Sequence, residues 1–452
     1  MIRTMLFGGA CALALTTAAS AETVAITNAK IETVAAAGTI ASGVIVLTDG
    51  KITAVGANVS VPSGARVIDA KGGVVTPGLI APSSNLGASE IGGVRETRDD
   101  GSGTEMSAGF DIAYSINPDS PVIALARDGG VTGAAITPTL SGGGGGAHRD
   151  DGDAELEALQ NYTAGRAGDG DPRLFAGQAA LIRLAAGDTD IVTKAKVAVA
   201  LDLGQAGARA AGGSRGAAIV LVKSAFEDAR AFARNRSAFE KGATRDFGLS
   251  RIDLEALIPV IEGKTPLLVR VRRASDIRQV LKLAAEEKVK IILEGAEEGW
   301  IAAADIAKAG VPVIIDTQAD LPDSFETLAS RLDNAARLQA AGVAVAITGS
   351  RDFNNLRLQR LNAGLAVANG MPYQAALASV TAVPAKIWGM SSVGTLEVGK
   401  TADVVVWNGD PLETTTWPTA VFVGGQQQPT EYRGLKLRDR YARPAGAYPR
   451  AY

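Results

Sequence analysis

Four apolar runs of strand length, each followed by a segment of helical period, occupy residues 265 to 368. This alternation constrains the fold more than any other feature of the chain. "TPLLVRV" (265 to 271) leads into a helix predicted from Ser275, with Ile277, Val280, Leu281 and Ala284 at helical spacing. "VKIILEG" (289 to 295) leads into "EEGWIAAADIAKAG". "VPVIIDT" (311 to 317) leads to a helix predicted to open at Asp323, with Glu326 as its capping partner, and to close at Gly342. "VAVAIT" (343 to 348) leads into "NNLRLQRLNAGLAVANG". Parallel neighbours need a crossover connection, so successive apolar strands with helices between them predict a parallel sheet covered by helices. For 452 residues the α/β architecture that fits is a distorted (β/α)8 barrel.

The two ends of the chain have a different pattern. "TVAITNAKIETV", "GVIVLTDGKITAVG" and "ARVIDAKGGVVTPG" are rich in β-branched residues, and Asp49-Gly50 is a strong hairpin cue. "GTLEVGKTADVVVWNGDP" (394 to 411) and "TAVFVGG" (419 to 425) are again short strands broken by turn residues. Neither end is large enough to close a sheet alone, so they are predicted to build one composite β-sandwich. The expected division is a leader over 1–21, sandwich over 22–75, barrel over 76–390 and sandwich again over 391–452. Within the first half of the barrel, 141 to 153 has the composition of a loop and 211 to 242 is mainly helical, while strands 2 to 4 have no clear signature.

Residues 1 to 21 combine Arg3, an apolar run around Met5 to Leu15 and the small-residue ending Ala19-Ser20-Ala21. That is the pattern of a secretory signal peptide cut after Ala21, which implies export to the periplasm. The run is too short to span a bilayer, and no later stretch reaches the necessary length. Removal of this segment takes away Cys11, the only cysteine, so neither a disulfide nor a thiolate ligand is available to the exported chain. The formal charge of −3 becomes −4 without Arg3, and no run of like charge suggests nucleic acid or an anionic membrane.

With 46% hydrophobic residues the chain can bury a large core. Its strands and turns, in order, resemble the amidohydrolase superfamily, specifically its exported members with a composite β domain. The resemblance rests on "VIDAKGGVVTPGLIAP" (67 to 82), "RASDIRQVLKLAAE" (273 to 286), "EGAEEGWIAAADIAKAGVPVIID" (294 to 316), "LAVANGMPYQAALASVTAVPAKIWGM" (365 to 390) and "VGTLEVGKTADVVVWNGDPLE" (393 to 413). It implies hydrolysis of non-peptide carbon-nitrogen bonds, as in cyclic amides, at one or two divalent metals such as zinc. In that family the metals are held by His-x-His on the first strand, Lys or Glu on the fourth, histidines on the fifth and sixth, and Asp on the eighth. The metal turns a bound water into hydroxide, and the Asp moves its proton.

Carried onto this chain, the pattern loses its ligands. The first-strand pair falls on Ser83 and Asn85, weak neutral oxygen donors. The fifth-strand position falls on Arg270, with Arg272 two residues on and expected on the same face. A guanidinium has no lone pair to give a metal. The sixth-strand position falls on Gly295 beside Glu294, and the eighth on Ser350 within "TGSRDFNN", where Asp352 is either a displaced carboxylate or no substitute. Lys223 has the helical phase of a solvated surface residue. His148, the only histidine, lies beside five glycines in the setting of an exposed loop.

The charged groups expected around the barrel mouth are therefore Arg270, Arg272, Arg351, Glu294, Asp316 and Asp352. They could pair with one another and fill the space of the metal. Alternatively Arg270 and Arg272 could grip a carboxylate or phosphate. A serine nucleophile at Ser83 or Ser350 lacks a suitably placed histidine base, and no G-x-S-x-G turn is expected in the chain. The expectation is a catalytically degenerate family member without a bound metal. It would act as a periplasmic binding or accessory protein toward a small anion or an active homologous hydrolase, and could form homo-oligomers. The alternative is an active hydrolase with an unconventional or metal-free site.

Overall fold

The computed structural model describes residues 22–91, 94–102, 106–139, 174–349, 356–430 and 433–442. The predicted signal peptide (1–21), His148 and the trio Ser350, Arg351 and Asp352 lie outside the described residues. No helix among them is long and apolar enough to cross a membrane.

The two ends of the chain meet in one eight-stranded sheet. Its strands are β1 (Thr23–Glu32), β2 (Thr39–Thr48), β3 (Lys51–Gly56), β4 (Arg66–Asp69) and β5 (Val74–Pro77) from the N-terminal end. The C-terminal end adds the strands Val404–Trp407, Pro418–Val423 and Gln426–Gln427. The β2–β3 turn is the hairpin anticipated from Asp49-Gly50, whose φ angles of 51° and 73° suit the residue pair. Val404–Trp407 pairs antiparallel with β5, which joins the ends of the sequence. The composite sandwich thus takes the form of a single hydrogen-bonded sheet. One of its faces carries a core of its own, including Ile26, Ile45, Val75, Val404 and Phe422. The opposite face, with Val74, Val405 and Trp407, joins the main core of the barrel.

Gly78 marks the passage from sheet to barrel. A Cβ there would lie 2.1 Å from the Thr132 hydroxyl oxygen, so only glycine lets β5 continue directly into β6 (Leu79–Ser84). Around the barrel follow β7 (Val131–Ile136), β8 (Phe175–Gln178), β9 (Ala180–Arg183), β10 (Val192–Lys194) and β11 (Val199–Asp202). The parallel run anticipated from sequence then supplies β12 (Leu267–Val271), β13 (Ile291–Gly295), β14 (Val313–Ile315) and β15 (Val345–Ile347).

The third stave departs from a regular (β/α)8 design. β8 and β9 follow one another across Ala179, and they run antiparallel to β11 and β7 respectively. β8 begins level with the end of β11, where the Leu174 carbonyl accepts from the Asp202 amide. A stave that starts at the mouth needs no crossover helix, and this is why no strand-helix alternation marks it in the sequence.

Two helices also differ from expectation. After β14 the chain turns repeatedly, and the helix opens only at Asn334 (Asn334–Ala340) rather than at Asp323. Thr327 donates its hydroxyl to Asp323 in a local turn, and Glu326 faces Arg215, so the two residues read as a cap serve elsewhere. In the helix Ala274–Glu287 the deepest stripe is Ala274, Ile277, Val280 and Leu283 rather than one through Leu281.

Inside the barrel a layer of small and branched side chains fills the axis: Ala135, Ala200, Leu268, Ile292, Ile314 and Ala346. Trp388 joins this layer from the helix side and donates its indole N–H to the Pro82 carbonyl at 2.8 Å. The barrel is therefore plugged below its mouth, as interior layers in this architecture require.

Candidate functional site

Two residues beyond that apolar layer, the same inward faces present Thr137, Asp202, Arg270, Glu294, Asp316 and Thr348. Strand period alone lifts these polar residues to the mouth. Arg270 and Glu294 are direct partners in the β12–β13 register, so parallel pairing sets their side chains next to one another. Ser83, at the end of β6, completes the group from across the barrel.

Arg270 donates from Nε to Glu294 Oε2 at 2.7 Å. Ser83 Oγ donates to Glu294 Oε1 at 2.6 Å. An ionised carboxylate only accepts, so the Ser83 proton is committed to Glu294, and the 2.8 Å contact between Ser83 and Thr137 must be donated by Thr137. Thr137 in turn accepts a long bond from Arg270 Nη2 at 3.5 Å. The four side chains thus close a hydrogen-bonded ring. Ser83 and Glu294 are 1% and 3% exposed, and Arg270 7%, so the ring is shut off from water. Thr348 anchors it further by donating to the Ser83 carbonyl at 2.8 Å.

The other sequence candidates are not in this ring. Asn85 lies beyond the strand end, and its amide donates to Asp100 at 3.1 Å. Arg272 stands one residue past Val271, where β12 ends. Its side chain is 45% exposed and lies 3.6 Å from Glu297. Asp316 accepts from the Asn362 amide at 2.9 Å and from the Gln318 backbone at 3.0 Å. Lys223 sits on the helix Arg215–Arg234 and pairs with Glu286, as its helical phase implied.

Sequence reasoning missed Thr137 and Asp202 because their strands were not placed. Asp202 stands at the fourth-strand end, where the family has Lys or Glu, and it accepts backbone bonds from Gly204 and Gly207 at 2.9 and 3.0 Å. Asp320 was also missed, since it follows β14 in irregular chain. It is 1% exposed, and the Asn334 amide donates to its Oδ1 at 3.0 Å. Burial pushes its carboxyl up to about 8 against the pull of that amide, and the charges of Glu297, Asp316 and Asp333 push the same way. Ser214 stands in the G-x-S-x-G string at 212 to 216, but its hydroxyl accepts from Ala217 as a helix N-cap, a structural task.

Residues 263–431 match the model of the Amidohydrolase family. The amidohydrolase tasK of Hapsidospora irregularis is 24% identical over 417 residues, which cover 85% of this chain. This chain spans only 39% of that relative's length. An amidohydrolase from Thermotoga maritima MSB8 has a similar structure, with a TM-score of 0.74 at 21% identity over 89% of this chain and 99% of that one. Over residues 263–431 this chain is thus similar to the amidohydrolase family, and it has the fold of an amidohydrolase. A more distant structural likeness is to molinate hydrolase, with a TM-score of 0.51 at 19% identity over 96% of this chain and 98% of that one.

The superfamily resemblance implies a divalent metal at the mouth, and the described residues at the first, fifth and sixth strand ends do not fit one. At the first, fifth and sixth strand ends the donors are a hydroxyl, a guanidinium and one carboxylate. Both oxygens of that carboxylate are already bonded, one to Ser83 and one to Arg270. A fixed positive charge 2.7 Å from the carboxylate repels a second cation from the same place. Among the described residues no three His, Cys, Asp or Glu side chains are grouped to hold a metal ion.

Proposed function

We propose that this amidohydrolase-superfamily chain is an exported, metal-free member that binds a small molecule or a homologous partner rather than hydrolysing a carbon-nitrogen bond. The observation that carries this reading is Glu294, held between Arg270 and Ser83 where a metal ligand would stand. The guanidinium supplies the positive charge that the fold would otherwise take from a cation. Burial then favours keeping the pair intact, because removing either partner leaves a charge without solvent.

Hydrolysis by Ser83 is the second reading, since its hydroxyl lies 2.6 Å from a carboxylate. Its 1% exposure and its second bond, to Thr137, speak against attack on a substrate. No imidazole stands in the described residues to take the proton.

Elemental analysis of the purified mature protein, before and after incubation with zinc, manganese and nickel salts, tests the reading. The expected result is a substoichiometric content of each metal and no turnover of cyclic amides. One bound equivalent that survives dialysis, with amide turnover dependent on it, would overturn the proposal.

A further inference from the structure

The loops after β11, β12 and β14 meet around a cavity of about 300 Å³ that includes Gln205, Ala208, Arg209, Arg215, Arg273 and Phe325 in its lining. Such loops form the ligand-binding face of barrels of this kind, and the volume is at the lower end of small-molecule pockets. Its three arginines are not equivalent. Arg215 is held by Asp276 and Glu326, each at 2.9 Å, so its charge is more than offset and its position fixed. Arg209 and Arg273 form no ion pair among the described residues. Arg273 stands at the N-cap position of the helix Ala274–Glu287, and among the described residues no ion pair holds its guanidinium away from the cavity.

Phe325 faces the same space with 86% of its surface exposed. The bare ring lines the same cavity as the two guanidiniums that have no ion pair. Together they match one ligand shape. The guanidinium forks take the two oxygens of a carboxylate, while the ring stacks on a flat apolar body behind it.

We propose that this cavity binds a small organic carboxylate with a flat apolar body, held by Arg209 and Arg273 and covered by Phe325. The proposal rests on the binding-protein reading for its purpose and gives that reading a ligand class. It also relocates the anion site from Arg270, whose charge is taken by Glu294, to arginines that are free of such partners.

Calorimetric titration with benzoate, benzyl alcohol and inorganic phosphate tests the assignment on the mature protein and on three variants. Benzoate should saturate a single site, benzyl alcohol should not bind, and phosphate should bind more weakly than benzoate. Arg209→Ala and Arg273→Ala should each weaken benzoate about tenfold or more, the value of one charge-assisted bond. Their melting temperatures should match the parent, since neither side chain carries a cap or an ion pair. Phe325→Ala should weaken benzoate and leave phosphate unchanged. Absence of benzoate saturation, full affinity in the Arg209→Ala/Arg273→Ala double variant, or tighter binding of phosphate than of benzoate would each overturn the proposal. Metal content measured on the same sample separates the two readings. A metal-loaded protein that still binds benzoate refutes only the metal-free mouth, and a metal-free protein that ignores benzoate refutes only the cavity.

Discussion

Glu294 and Asp320 are two buried carboxylates at one end of the same barrel, and their surroundings give them opposite characters. Glu294 has a guanidinium at 2.7 Å and a hydroxyl at 2.6 Å, so its charge is matched where it stands. Asp320 has one amide donor and a surplus of negative neighbours, and its carboxyl is displaced upward to about 8. Between the ordinary carboxylate value of 3.8 and about 8, folded Asp320 keeps a proton that the unfolded chain has released. The folded state then binds more protons than the unfolded state, so this group lowers stability as pH rises through that window, and the loss levels off above it. Asp320→Asn keeps the oxygen that accepts from Asn334 and removes the titration. Urea unfolding should show the two proteins alike near pH 4 and the variant more stable by about 2 kcal/mol or more at pH 8.5, given ~1.4 kcal/mol per pH unit. Equal stability at pH 8.5 would show that Asp320 ionises normally. Of the residues singled out in the sequence at the mouth, Ser83, Arg270 and Glu294 do meet. Strand period makes such inward positions legible, but it cannot say that the three bond to one another.

At the scale of elements, the parallel half of the barrel was legible because each strand is a continuous apolar run followed by a helical period. The third stave was not, because a strand reversed between two neighbours carries no crossover helix as its signal. The seam between β15 and β6 was equally hidden. No ladder joins those strands among the described residues; the Gln359 amide instead donates to the carbonyls of Ile80 and Ile347, at 2.9 Å each. Gln359 is fully buried on the helix Gln359–Ala368, whose sequence shows only an amphipathic pattern with a glutamine on it. Gln359→Leu should leave both carbonyls without a donor and cost about 2–3 kcal/mol in chemical denaturation. A loss under ~0.5 kcal/mol would mean that the seam is held by other contacts.

Across the whole molecule, sheet and barrel are welded rather than tethered. Trp407 is fully buried between them; its indole donates to Thr76 at 2.9 Å, and its ring closes over Gly130, where a Cβ would lie 2.7 Å from it. The Arg360 guanidinium sits 5.7 Å from the same ring and binds the carbonyls of Pro411, Glu413 and Thr416. Arg183 of β9 reaches Asp403 at the start of the C-terminal strands. With so much apolar surface shared, the two parts should melt together, and scanning calorimetry should record a single transition. Trp407→Ala should lower its midpoint by the equivalent of about 3–5 kcal/mol. Two resolved transitions in the parent protein would refute this coupling.

The amino-acid pattern by itself determined the family of architectures. Apolar period specifies strand or helix locally, and Gly, Asp and Pro mark the turns, so the β ends and the parallel half-barrel could be read from the chain; that Ser83 and Arg270 replace imidazoles is what the resemblance to amidohydrolases implies. Tertiary structure alone decided what those replacements do. Whether Arg270 meets an anion from solution or Glu294 from the next strand depends on register across β12 and β13, and on Ser83 arriving from 211 residues away. Contacts of that separation are set by packing of the whole barrel, and no local period encodes them.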